Sequence, residues 1–467
     1  MKERNEYDSI GTLSVPIDAY YGVQSLRAKE NFHITGRQLE SDFIISLVQV
    51  KKASAITNCE TGDLDKIRAE AIIAACNDII AGKYHDQFIV DPIQGGAGTS
   101  SNMNANEVVA NVAIEKLGGV KGDYSIIHPN DHVNMSQSTN DVYPTAGKIT
   151  ALKLTQKLLF QLERLGEALQ EKAIKFDDII KVGRTQLQDA VPMRLGQSFK
   201  AYCSAIKRDT KRVKRIQSEL YIVNMGGTAI GTAINANPEY LKQIAVNLKK
   251  TTGFDMILAE DLIDATQNLD AFVSVSGALK ATSVTLSKMA NDFRLLSSGP
   301  KTGFAEINLP AKQNGSSIMP GKINPVIPEV VSQVAFHVIG NDLTITMAAE
   351  AGQLELNAFE PVLFYNLFES IQTMTYAIST LIDNCITGIT ANEDRCEELL
   401  THSIVTVTAL CPYIGYKEAA DIAKESILNG LSVAQIALQR GLLTREELDM
   451  ILDPSMMTEP MEEQIVS

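Results

Sequence analysis

The chain has no tryptophan, no CxxC pair and no apolar run approaching the ~20 residues that a helix needs to span a bilayer. A membrane-spanning helix is therefore not expected. The N-terminal stretch MKERNEYDSIGTLSVP is charged and lacks the apolar centre of a secretion signal, so the expected location is cytoplasmic. Cysteine is sparse. Cys59, Cys76, Cys203, Cys385, Cys396 and Cys411 are scattered without metal-ligand spacing and read as reduced cytosolic thiols. Cations are outnumbered, with 42 Lys and Arg against 56 Asp and Glu and a formal net charge of −14. That balance argues against a nucleic-acid or anionic-membrane surface, both of which require clustered Lys and Arg. It also means that an anionic substrate would need a local nest of donors to overcome the long-range field.

What is present is ample material for a folded core. Of 467 residues, 45% are hydrophobic and 21% charged, which is a folded composition with a length prior of about three domains. The expected division is an N-terminal mixed, mainly helical domain over 1–140, a central long-helix bundle domain over 141–390 and a small C-terminal helical domain over 391–467. In the first part, helical periodicity marks Phe43 to Asn58 and Asp65 to Ile80. From Thr145 the pattern lengthens, with Ile149, Leu152, Leu158, Leu162, Leu165 and Leu169 at helical spacing and no internal proline.

Further long helices are predicted for Leu195 to Leu220, Asn268 to Leu296, Pro328 to Ala351 and Pro361 to Ile386. The fold class is thus mainly α. Apolar positions such as Val273, Leu279, Val284, Leu286 and Met289 spread too widely for one core stripe, so burial against other subunits is expected. The terminal DPSMMTEPMEEQIVS reads as a loosely held tail.

Four segments combine glycine with small hydroxyl and amide side chains: GGAGTSSNMNANE (95–107), HPNDHVNMSQSTND (128–141), GRTQLQDAVP (183–192) and NGSSIMPGKINP (314–325). Each reads as irregular backbone beside a helix, shaped around a ligand. Their Ser, Thr and Asn groups are the donors that a dicarboxylate needs when it leaves water. In the fourth segment, Lys322 adds one positive charge among neutral donors, and a serine held there would be depressed in pKa by Lys322 and backbone N–H groups.

The string GSSIMPGKINP matches the signature GSSxMPxKxNP throughout, and by it the chain resembles the aspartase/fumarase superfamily. The likeness runs from DAYYGVQSLRAKENF to GITANEDRCEEL, and segments such as DQFIVDPIQGGAGTSSNMNANEV and MAAEAGQLELN are most similar to the aspartate ammonia-lyases. The resemblance implies a three-domain fold with a central long-helix bundle, bundles joined in a homotetramer, and active sites built from loops of three subunits. It implies the reaction L-aspartate ⇌ fumarate + ammonium, an anti β-elimination through an aci-carboxylate, with no metal or organic cofactor. A fumarate hydratase or a related amine lyase of the same superfamily is the alternative.

The resemblance also assigns roles. Ser316 matches the general base. Thr99, Ser138, Thr139 and Ser317 match donors to the carboxylate that gains charge, Lys322 and Asn324 the grip on the α-carboxylate with Thr185 nearby, and Asn140 a contact to the amino group. Gln186 stands where fumarase-type members carry His. Hydroxide needs protonation to leave and an amine can depart as ammonia, so Gln186 favours ammonia over water. His128 and His132 are expected in a peripheral or structural role, and the six His residues show no metal spacing.

Overall fold

The structure, a computed structural model, describes residues 2–459; residues 460–467, the end of the expected tail, lie outside the described residues. It is mainly α. The periodic segments form helices at Ser41–Glu60, Lys66–Ile80, Thr139–Lys175, Leu195–Leu220, Asp270–Leu296, Val326–Glu350 and Glu360–Asn384. The chain divides into two compact units. One comprises Met1–Phe160, Asp209–Ser283 and Val334–Thr375, and the other Gln161–Arg208, Val284–Gln333 and Tyr376–Ser467.

In the first unit, the Asp65 side chain accepts the backbone N–H of Arg68 and starts the Lys66–Ile80 helix, satisfying one of the donors that a helix start leaves open. The Ser41–Glu60 helix packs on Lys66–Ile80 and on Pro238–Thr252. Polar ties fix the second contact, with Tyr240 Oη donating to Ser54 Oγ at 2.9 Å and Asn247 Nδ2 to Thr57 Oγ1 at 3.0 Å. The start of the Thr139–Lys175 helix rests on an aromatic cluster of Phe43, Tyr143, Phe272, Phe364 and Phe368, whose neighbouring ring centroids lie 4.9–5.9 Å apart.

Gly147 is required by that cluster, because a Cβ there would fall 2.2 Å from the Phe364 ring. Gly147→Ala is expected to overpack the site and to cost about 1–3 kcal/mol, read as a lower urea midpoint. An unchanged midpoint would mean that the ring gives way freely.

The Thr139–Lys175 helix begins six residues before the periodic segment and contains Pro144. Proline within a helix removes the N–H owed to the carbonyl four residues earlier, here that of Asn140. Asn224 Nδ2 supplies the missing bond, donating to the Asn140 carbonyl at 2.9 Å. The proline is tolerated because another part of the same unit replaces what it removes.

In the second unit, Phe176, Phe199, Tyr202 and Phe293 form the aromatic core, with neighbouring centroids 5.3–6.0 Å apart. Near the C-terminus Leu410, Ile422, Val433, Ile436, Ala437 and Leu448 make a separate small cluster. The beginning of the expected loose tail is held: Gln197 Nε2 donates to the Thr458 carbonyl, and Arg194 pairs with Glu459, both at 2.7 Å.

Candidate active site

The first unit brings Ser138 and Thr139 together on the wall of a cavity of about 390 Å³, with Asn102, Met103, Asn134, Ser136, Gln137, Thr228, Ala229, Ile234 and Asn235 as the remaining lining. Two of the segments expected to be irregular turn into helix partway along. Thr99 is the first residue of the Thr99–Lys116 helix, and Thr139 the first of Thr139–Lys175. The alternation of Asn with apolar residues in NMNANEVV had masked the earlier of these starts. Both starts sit at the positive end of a helix dipole, which favours an anion there, although the N–H groups of Thr99, Ser101 and Asn140 are already taken by the Gly96 carbonyl, Gln94 Oε1 and Ser138 Oγ.

Thr99 Oγ1 donates back to the Gly96 carbonyl at 2.7 Å, and the residue is exposed. Asn140 Nδ2 is spent on the Ala229 carbonyl at 2.7 Å. Its Oδ1, an acceptor, is the group that suits an ammonium.

Asp141 was not singled out by the sequence, yet it ties this wall together. Fully buried, it accepts the N–H of Ser138 at 2.9 Å through Oδ1, and those of Gly226 at 2.9 Å and Thr228 at 3.1 Å through Oδ2. Burial pushes its pKa up to about 6, against the pull of those three donors and of the Lys51 charge. The segment that it fastens, MGGTAIGTAIN, supplies Thr228, Ala229 and Ile234 to the cavity. Its glycine and threonine content was the signal that could have found it. Thr228, Ala233 and Asn235 all hold positive φ, the kind of sparsely populated backbone that clusters at ligand sites.

Behind the wall lies Lys51, also fully buried, donating to Asn134 Oδ1 at 2.8 Å and Gln137 Oε1 at 3.0 Å. Burial drives its pKa down to about 7, with the Asp141 carboxylate opposing.

The second unit carries the other predicted residues. GRTQLQDAVP is no loop but most of a hairpin, Ile180–Thr185 paired antiparallel with Gln188–Arg194, with Thr185 opposite Gln188. That leaves Gln186 and Leu187 as a two-residue turn, at φ 53° and 62°. Such a turn ordinarily carries Asn and Gly, which is why the sequence did not announce it. Thr185 and Gln186 are exposed at the tip. The first strand of the hairpin is held by buried Glu306, which meets Arg184 at 2.9 Å and Lys181 at 3.2 Å.

The Gly315 to Pro325 segment has no regular secondary structure and is closed by its own bonds. The Gly315 N–H donates to the Lys322 carbonyl at 2.9 Å, and Asn324 Nδ2 to the Gly315 carbonyl at 2.6 Å. A Cβ on Gly315 would fall 2.4 Å from the Lys322 carbonyl oxygen, so only glycine permits this closure. Ser316 Oγ accepts two backbone N–H bonds, from Ile318 at 3.2 Å and Met319 at 2.9 Å. Ser317 and Lys322 are exposed on the same segment.

The two histidines of HPNDHVN serve their own loop. His128 Nδ1 accepts the N–H groups of Asn130 and Asp131, and His132 Nδ1 that of His128 at 2.8 Å. Among the described residues no group of His, Cys, Asp and Glu has metal-binding geometry, and no helix is long and apolar enough to cross a membrane.

Two family descriptions match the chain: Lyase over residues 11–340, and Fumarase C C-terminus over residues 406–459. The aspartate ammonia-lyase of Bacillus subtilis (strain 168) is 53% identical over 98% of this chain and 96% of its own length. A crystal structure described as fumarate lyase:delta crystallin from Brucella melitensis, bound to cobalt, superposes with a TM-score of 0.95 at 50% identity, covering 98% of this chain and all of that one. A class II fumarase from Schistosoma mansoni has the same fold, with a TM-score of 0.96 over 99% of this chain and all of its own, but only 34% identity. Sequence therefore separates ammonia-lyase from fumarase where fold does not, and by its half-identity over nearly the full length the chain belongs to the aspartate ammonia-lyase family.

Proposed function

We propose that the chain is a cytoplasmic aspartate ammonia-lyase, catalysing reversible anti β-elimination of ammonia from L-aspartate to give fumarate. The observation that carries the mechanism is the pair of backbone N–H groups on Ser316 Oγ. A serine is a poor base in water. Donors fixed on its oxygen favour the alkoxide, and exclusion of water on substrate binding would strengthen them.

In this reading Ser316 removes the proton from the carbon next to the β-carboxylate. Ser138, Thr139 and Ser317 donate to that carboxylate as it becomes the doubly charged aci-form, joined by Thr99 once its hydroxyl turns from the Gly96 carbonyl, and preorganised donors act most strongly where charge develops. Lys322, Asn324 and Thr185 hold the α-carboxylate. Asn140 accepts from the amino group, and Gln186, which cannot act as an acid, suits a leaving group that departs as ammonia.

The active enzyme is a homotetramer whose sites draw on loops of three subunits. Supporting this is a row of exposed apolar side chains on the Val326–Glu350 helix, namely Phe336, Ile339, Leu343 and Met347, at the three- and four-residue spacing that lines one helix face. The six unpaired cysteines suit a reducing compartment.

The test of the reaction is fumarate consumption, followed by its ultraviolet absorbance with and without ammonium. Consumption should require ammonium and yield aspartate. Consumption without ammonium, yielding malate, would instead identify a hydratase.

A further inference from the structure

The Thr139 hydroxyl already meets a buried amide that shares the cavity wall with it. Asn102 Nδ2 donates to Thr139 Oγ1 at 3.1 Å and to Asn134 Oδ1 at 3.2 Å. The same Asn134 oxygen receives Lys51 Nζ at 2.8 Å and Asn106 Nδ2 at 3.2 Å. Asn102 is only 1% exposed and Lys51 fully buried, while the half-buried Asn134 joins Asn102 in lining the cavity.

The lysine end fixes the sense of these bonds. Lys51 Nζ sits against two amide oxygens, and in its protonated form it can only donate, so Asn134 presents Oδ1 to it. Asn102 meets that same oxygen and must therefore offer its NH2 group, not its carbonyl. The second hydrogen of that group then points at Thr139. A hydroxyl has one hydrogen and two lone pairs. With one lone pair filled by Asn102, the hydrogen is left free to donate into the cavity, of whose wall Thr139 forms part.

We propose that Asn102 is a positioning residue that commits the Thr139 hydroxyl to donating to the substrate β-carboxylate. This rests on the reading of the cavity wall as the β-carboxylate site. A hydroxyl free to rotate would spend part of its time accepting from the protein, and would have to reorient as negative charge builds. One whose lone pair is held by an amide is already set to donate to that charge.

The experiment is a double-mutant cycle on the full-length enzyme, using Asn102→Asp and Thr139→Val with L-aspartate as substrate. An aspartate at 102 has no hydrogen to give and accepts the Thr139 hydroxyl, turning it away from the cavity. Thr139→Val should lower kcat/KM about 10²-fold, the usual loss for one donor to a developing oxyanion. Asn102→Asp should lower it to a similar extent, and in both the loss should fall mainly on kcat, because the bond strengthens as the aci-form develops.

The double variant should lie within about threefold of Thr139→Val alone. A new charge that merely repelled substrate, or a disturbed fold, would keep its full effect in the Thr139→Val background, and that additive result overturns the proposal. Asn102→Ala, which removes the donor without adding charge, should lose about tenfold and carries the same cycle if the Asp variant melts early. Parent-like activity of Asn102→Asp alongside a crippled Thr139→Val overturns the positioning role alone. Parent-like activity of Thr139→Val overturns the carboxylate-site reading, and the proposal with it.

Discussion

Ser316→Ala should lower turnover of L-aspartate by about 10³-fold or more while leaving the thermal melt unchanged within a few degrees, since loss of a positioned base costs ~10²–10⁴ and this one must also carry negative charge. The structural reason for sparing the fold is that Ser316 Oγ supports only two N–H groups of its own turn, whereas the segment is closed by Gly315 and Asn324. The loss should appear in kcat, with KM for aspartate changed little, because the serine oxygen meets the proton in the transition state more strongly than it meets bound substrate. Steady-state kinetics on a variant of verified fold decides it. Turnover near that of the parent enzyme would remove Ser316 as the base.

Breaking the assembly should have an effect as large. Phe336 is 63% exposed and Leu343 64% in the single chain, one helix face apart by seven residues. Their replacement together, Phe336→Glu and Leu343→Glu, would place two carboxylates where a subunit contact is proposed, each costly to bury without a partner. Light scattering should show a mass below that of the proposed tetramer, and activity should fall more than about 100-fold, because under that proposal a site drawing on three subunits loses groups that contribute about a factor of ten or more each. A full-size, fully active double variant would show that this face is not an interface.

The long helices were legible because their apolar spacing is strong and uninterrupted. Leu195–Leu220 occupies the interval that its periodicity marks, and Ser41–Glu60 and Lys66–Ile80 lie within a few residues of theirs. What escaped had local chemistry that contradicted its structure. The Gln186–Leu187 turn lacks the Asn and Gly that its backbone calls for, so the hairpin carrying Thr185 read as a loop. Pro144 made a helix start look like a helix boundary, although Asn224 repairs the missing bond.

The site was legible in a similarly uneven way. Ser316, Lys322 and Asn324 stand together in one short string, and resemblance could assign them. Asn102, which shares the cavity wall, and Asp141 and Lys51 behind it make bonds between segments that lie far apart in the chain, so distances rather than sequence reveal them. A buried lysine surrounded by amides has no pattern in sequence that separates it from an exposed one.

The bond from Asn224 to Asn140 also has a meaning for anyone who would move this site to another scaffold. The first turn of the Thr139–Lys175 helix, which carries Thr139 and Asn140, takes part of its order from a residue 84 positions away. Grafting the helix alone would carry over the side chains but leave a proline gap open at their base. The transferable piece is the helix start together with the 224–228 segment that closes the gap through Asn224 and binds Asp141 through the N–H groups of Gly226 and Thr228.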